Sequence, residues 1–307
     1  MKRSLALLFV LAAACTTNNF YNNGPQADAA RGSADAHRDA AGDPDARGAD
    51  DAAPPGDVDA RPHAADAATP DAMTTADAKP TPDAMIAPDA PPLSGDTTSC
   101  GKPLPTTAPV TIQFTGGVYD GTSGTGVAGA TVAVYARNGT SPIASATTDA
   151  QGAYDFTVAT GGKPIDGYVR VTSTGHVAAD MYPAVPFVAD TEWGIPVVDK
   201  TTLLSVQGQV LQDPAKALFV AQVDDCQQQA LAGATLALTP SGAATISYPD
   251  EQHQGLYLTS TSTSGVAIAN NVTPGDVLVD GVAGATSLRG QVITANVGEL
   301  VLVLVSP

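Results

Sequence analysis

The sequence predicts an all-β protein: two antiparallel β-sandwiches in tandem, behind an N-terminal leader and a disordered tether. Three observations predict it. The phrase VAGATVAV at 127–134 is nearly repeated as LAGATLAL at 231–238. Around each copy, short runs of alternating apolar and polar residues are broken by Gly-, Pro-, Asp- and Ser-bearing turns about every 8–12 residues. Composition also breaks near residue 100: residues 24–99 hold 15 of the 31 acidic residues, contain no Glu, and are dominated by Asp, Ala and Pro. The remainder is rich in Val, Thr, Gly and Ala, which suits pleated, half-buried strands.

The N-terminus reads MKRSLALLFVLAAAC. Lys2 and Arg3 form a positive region, Leu5 to Leu11 an apolar stretch too short to span a bilayer, and Ala12, Ala13 and Ala14 lead to Cys15. This arrangement resembles a bacterial lipoprotein signal, with residues 1–14 removed and Cys15 carrying the lipid. It departs from the usual pattern in having Ala12, not Leu, three residues before the Cys. The alternative is an ordinary secretory leader cut after Ala14, with Cys15 incidental. The lipoprotein resemblance implies a membrane partner through two or three acyl chains, an anchor far firmer than one chain gives. Thr16, in place of the Asp that marks inner-membrane retention, implies outer-membrane sorting within a bacterial envelope.

Residues 15–99 read as the tether. Asp-Ala pairs recur at Asp59, Asp66, Asp71, Asp77, Asp83 and Asp89, with Pro70, Pro80, Pro82, Pro88, Pro91 and Pro92 between them. Ala buries little area, Pro interrupts helix and ladder alike, and spaced Asp residues repel. As a flexible coil, residues 24–99 would reach about 50 Å. The Asp pairs at 43–45 and 57–59 lack the third ligand and the Gly turn of a calcium loop, so a solvated spacer is expected.

The first sandwich is assigned to residues 100–199 and the second, more divergent one to 216–307. Val118 and Asp120 before the first phrase answer to Val223 and Asp225 before the second. After the phrases, TTDAQGAYDF and TSTSGVAIAN each carry a turn with Gly152 or Gly265. Tyr154, Phe156 and Val158 then fall on one strand face, as do Val266 and Ile268. Gly129 and Gly233 allow either a backbone bend or a close approach, and Val132, Val134, Leu236 and Leu238 are expected in cores. The second copy carries about nine extra residues, in ATISYPDEQHQG, where a hairpin would lengthen. Between the copies, in 200–215, Leu203, Val206, Val210 and Leu211 approximate helical spacing before Pro214, predicting a short helix.

The pattern G-V-x-D … V-A-G-A-T-V-x-V … T-D-x-x-G-x-Y-x-F at Gly117 to Phe156 resembles carboxypeptidase regulatory-like domains. That resemblance implies a transthyretin-like, seven-stranded sandwich over 109–199 and, more loosely, over 216–307. The Asp-Ala tether behind a lipoprotein signal is similar to surface lipoproteins of myxobacterial type. Such modules are accessory, adhesive or structural, and the family name implies no peptidase activity.

Chemistry is harder to find. A formal charge of −17, with 14 Lys and Arg and no basic cluster, argues against nucleic acid. The sequence has no H-E-x-x-H, no Cys/His zinc spacing and no G-x-S-x-G. His176 and His253 lie in different copies, and His176 is expected as an exposed loop residue. Asp224 and Asp225 are adjacent and would point to opposite strand faces. No catalytic, cofactor or metal residue is therefore assigned, and the chain is expected not to be an enzyme. Cys100 and Cys226 are a candidate disulfide in an oxidising compartment, the alternative being two free thiols. An unidentified protein or glycan partner remains; Tyr182, Trp193 and Tyr257 are candidate glycan-stacking aromatics.

Overall fold

The computed structural model describes residues 95–202, 212–251, 256 and 258–307. The leader, Cys15 and the tether up to residue 94 lie outside the described residues, as do Tyr257, His253 and residues 203–211. Of the segment expected to be helical, Lys200–Thr202 form a helical start, with the N–H groups of Thr201 and Thr202 donating to Asp199 Oδ1 at 2.8 and 3.2 Å. That is N-cap geometry. The Thr201 hydroxyl also donates to Asp199 Oδ1, and that bond first, with the two N–H bonds, holds the Asp199 carboxyl below the usual carboxylate value.

The chain enters through a small hairpin, β1 (Thr98–Ser99) and β2 (Lys102–Pro103). The first repeat supplies β3 (Thr111–Asp120), β4 (Thr131–Ala136), β5 (Pro142–Thr147), β6 (Ala153–Ala159), β7 (Gly167–Thr172), β8 (Ala179–Tyr182) and β9 (Thr191–Val197). The second supplies β10 (Ala217–Val223), β11 (Ala234–Thr239), β12 (Thr245–Ser247), β13 (Val266–Val272), β14 (Gly275–Ala283), β15 (Thr286–Ala295) and β16 (Leu300–Val305).

The repeated phrase has a repeated structural job. The Thr148 hydroxyl donates to Val127 O at 2.6 Å and accepts from Ala130 N at 2.9 Å; the Thr261 hydroxyl donates to Leu231 O at 2.6 Å and accepts from Ala234 N at 2.9 Å. Both threonines are buried, so each satisfies a donor and an acceptor that water cannot reach. Around them, Val118 N bonds Gly152 O and Val127 N bonds Val118 O, each at 2.8 Å; Val223, Gly265 and Leu231 repeat both bonds at the same distance. Gly129 and Gly233 have φ of 70° and 79°, and a Cβ on either would meet nothing within 4 Å. They serve the bend rather than a close approach.

The two repeats are fused at the level of the sheet. One sheet runs β12-β13-β10-β16-β8-β7-β4-β5, eight strands drawn from both repeats; the first repeat's remaining strands form β6-β3-β9, and the second's form β11-β14-β15. The seam is the parallel pairing of β16 with β8, Leu300 opposite Ala179 through Val303 opposite Tyr182. On its other side β16 pairs in parallel with β10. This explains why β10 (ALFVAQV) and β16 (LVLVLV) are buried throughout. Leu218, Val220, Leu300, Leu302 and Leu304 join the core under β3, β6 and β9, whereas Phe219, Ala221, Val223, Val301, Val303 and Val305 join the core under β11, β14 and β15. A strand buried on both faces cannot alternate. Each Val or Leu so buried contributes roughly 1.5–3 kcal/mol.

The repeats differ where the second carries its insertion. β5 pairs with β4 inside the shared sheet, but β12 pairs with β13 rather than with β11. At the freed edge of β11, Leu236 N donates instead to the Tyr248 hydroxyl at 2.9 Å. Val132, Val134 and Leu238 are core residues as expected, and Leu236 packs half-buried against the second core.

Candidate functional site

A concave surface opens where the repeats meet. It is a cleft of about 690 Å³, lined by Tyr135, Arg137, Asn138 and Tyr168 from the first repeat and by Asp276 and Asn296 from the second. Its tyrosines are placed by register: Tyr135 on β4 lies opposite Tyr168 on β7, and their rings stack at 5.3 Å with an 11° interplanar angle. Tyr168 stacks in turn on Tyr182 of β8 at 4.9 Å and 24°. The ladder runs from the buried Tyr182 to the half-buried Tyr135. Tyr182 is pinned across the layers: its hydroxyl accepts from Thr294 N at 3.2 Å and donates to Thr294 O at 3.4 Å.

Two arginines flank the ladder, and both are engaged. Arg137 pairs with Asp166 at 2.8 Å, donates to Val292 O, and sits 5.6 Å from the centre of the Tyr182 ring. Arg170 pairs with Asp180 at 3.1 Å and with Glu299. Asn296 Nδ2 reaches Asp180 at 3.4 Å, and Thr294 Oγ1 donates to Asp276 at 2.9 Å. Asp180 and Glu299 each keep one buried oxygen, Oδ1 and Oε2, with no hydrogen-bond partner. Burial pushes the Asp180 carboxyl up to about 7; Arg170 opposes the rise and Glu299 adds to it. Burial also raises Tyr168 above its usual value, with Asp180 adding to that.

The aromatics singled out from the sequence are not platforms. Tyr182 and Trp193 are 0% and 3% exposed, and a ring with no free face cannot stack on a sugar. Tyr182 belongs to the central sheet, covered on both sides, and Trp193 packs on Phe187 at 5.3 Å while its carbonyl accepts the Tyr154 hydroxyl at 3.0 Å. Tyr257 lies outside the described residues. Tyr135 and Tyr168, which do line a cleft, became recognisable only once the β4–β7 register placed them opposite one another.

Cys100 and Cys226 are joined in a disulfide, Cα atoms 5.7 Å apart across 126 residues of chain. The entering segment is fastened to the second repeat in other ways too: Asp96 N donates to Gly290 O and Gly290 N to Asp96 Oδ2, both at 2.8 Å, and Ser99 Oγ donates to Pro307 O at 3.1 Å.

His176 is half-buried, not exposed, with Nε2 3.5 Å from Asp120 Oδ2. The hydroxyls of Thr122 and Ser123 donate to Asp120 Oδ1 and not to the imidazole, so no activated nucleophile forms there. Burial raises the Asp120 carboxyl, but those hydrogen bonds, together with the ones from the N–H groups of Thr122 and Ser123, outweigh it and hold it below its usual value. Asp224 and Asp225 serve separate partners, Asp224 Oδ1 accepting from Gln222 Nε2 and Asp225 Oδ1 from the N–H groups of Gln227 and Gln229. Among the described residues no group of three His, Cys, Asp or Glu side chains could hold a metal ion.

No family model matches the chain, and no curated protein matches it. Among solved structures, the Bacillus anthracis TIE protein is similar at 16% identity over 64% of this chain and 34% of that one, with a TM-score of 0.21. The shaft pilin SpaA from Lactobacillus rhamnosus GG is similar at 12% identity over 66% and 98%, TM-score 0.22. Catechol 1,2-dioxygenase from Acinetobacter sp. ADP1 is similar at 13% identity over 29% and 52%, TM-score 0.22. The chain thus spans about a third of the TIE protein's length. At these scores the likenesses are too distant to bear on activity, and a pilin and a dioxygenase stand side by side among them.

Proposed function

We propose that the protein is a lipid-anchored surface protein of a bacterial envelope, on the outer membrane, acylated at Cys15 and carried clear of the membrane by the acidic segment 15–99. Its sandwiches, of the carboxypeptidase regulatory-like type, act as a non-catalytic accessory, adhesive or structural module. The observation that carries this reading is the Cys100–Cys226 bond. Disulfides persist in oxidising compartments, and this one fastens the chain just after the tether to the folded body. A load borne by the tether would then reach the second repeat directly.

The test is the intact mass of the mature protein from a membrane fraction, before and after reduction. The reading expects a chain starting at an acylated Cys15 and gaining about 2 Da as two thiols form. A soluble, unacylated chain beginning after Ala14 would contradict it. A second reading, a carbohydrate-binding surface module, is favoured by one observation: the tyrosine-lined cleft at the seam.

A further inference from the structure

We propose that the seam cleft is a binding site for an uncharged saccharide, with Tyr135 as the stacking ring and Asn138, Asp276 and Asn296 as partners for its hydroxyls. The proposal rests on the carbohydrate-binding reading and adds where binding occurs and which sugars fit. A pyranose presents an apolar C–H face and a rim of hydroxyls that both donate and accept. The cleft matches both needs. Tyr135 is backed by Tyr168 in near-parallel stacking, so its ring is held in place before a ligand arrives, which lowers the ordering cost of binding. The amides of Asn138 and Asn296 can donate and accept, and the Asp276 carboxylate, fixed by Thr294, can accept from a sugar hydroxyl. The volume, about 690 Å³, falls among those of small-molecule sites.

Charge selects the class of sugar. Two arginines lie at the cleft, but both guanidinium groups are already paired, Arg137 with Asp166 and Arg170 with Asp180 and Glu299. With Asp276, the nearby carboxyl groups number four against those two cations. Protonating Asp180 leaves three against two. A uronate or sulfated sugar would meet net repulsion, and an uncharged one would not. Asn138, Asp276 and Thr140, which also lines the cleft, are exposed, so the cleft is open enough to admit an inner unit of a polymer.

The experiment is affinity gel electrophoresis of the full mature chain in gels containing hydroxyethylcellulose, dextran, glycogen or galactomannan, with alginate and polygalacturonate as anionic counterparts. The expected result is retardation in at least one uncharged gel and in neither anionic one. Tyr135→Ala should weaken that binding about tenfold, an aromatic contact's worth. Should Tyr135→Ala lose its near-ultraviolet circular dichroism, Asn138→Ala and Thr140→Trp, both at exposed positions, decide: loss of retardation supports the site and unchanged retardation overturns it. Retardation only in anionic gels, or retardation indifferent to all three variants, overturns the cleft while leaving carbohydrate binding standing. No retardation in any gel overturns both.

Discussion

The hydroxyls of Thr148 and Thr261 donate over the same 2.6 Å, to Val127 O and Leu231 O, and accept over the same 2.9 Å from Ala130 N and Ala234 N. Two side chains 113 positions apart thus perform one task, locking the turn that enters β4 and β11. Removing either hydroxyl while keeping the shape, Thr148→Val or Thr261→Val, leaves a buried N–H and C=O without their partner. Each change should cost about 1–3 kcal/mol, with Thr→Ser milder because the hydroxyl remains. Urea unfolding checks this, and unequal costs would show that the two turns are not equivalent.

The glycines around that turn separate two causes of intolerance. Gly129 has φ of 70° with open space where a Cβ would stand. Gly152 has φ of 82° and would place its Cβ 2.4 Å from Val118 O and 2.7 Å from Val127 N. Gly129→Ala should therefore cost only the left-handed backbone penalty, about 1–2 kcal/mol. Gly152→Ala adds a clash with backbone on two sides and should cost clearly more in the same unfolding assay.

Asp180 makes stability depend on pH at the seam. Its folded carboxyl is raised from 3.8 to about 7, so the folded state holds a proton that the unfolded chain has already released at neutral pH. The associated stability is fully present below the unfolded value and is lost as pH rises through about 7. The expected loss approaches 1.4 kcal/mol per pH unit, roughly, between those two values and levels off above about 7, where both states have released the proton. Asp180→Asn should flatten the profile between about pH 4 and about pH 7. An unchanged slope in that variant would assign the dependence to another group.

Reduction of Cys100–Cys226 should lower stability by about 2–5 kcal/mol, since the bond closes a long loop. Thermal melting of the wild type with and without reductant measures it, and the double variant Cys100→Ser with Cys226→Ser should melt as the reduced protein does.

Much of this architecture was legible in the sequence because it is local. The Ala-Gly-Ala phrase, the turn glycines and the alternation of Tyr154, Phe156 and Val158 each state a strand or a turn within about ten residues. The seam was not legible in that way. LVLVLV at 300–305 signals a strand buried on both faces, but nothing in it names β8 as the neighbour. The departure of β12 from β11 is equally a long-range choice, made where the second repeat carries its insertion. The cleft inherits both difficulties. Tyr135 and Tyr168 form a pair only by register, and Asp276 and Asn296 reach them only because the sheets are joined. Tyr182 and Trp193 drew attention as aromatics in a chain with 5% of them, and that scarcity marks rings reserved for cores.

The central claim is that the two repeats are one body built around a shared sheet. Scanning calorimetry of the intact chain, alone and with Thr148→Val, tests it most directly. One cooperative transition, with calorimetric and van't Hoff enthalpies equal and the whole peak moving down in the variant, is the predicted result. Two resolved transitions, of which Thr148→Val moves only one, would contradict it and make the repeats independent domains.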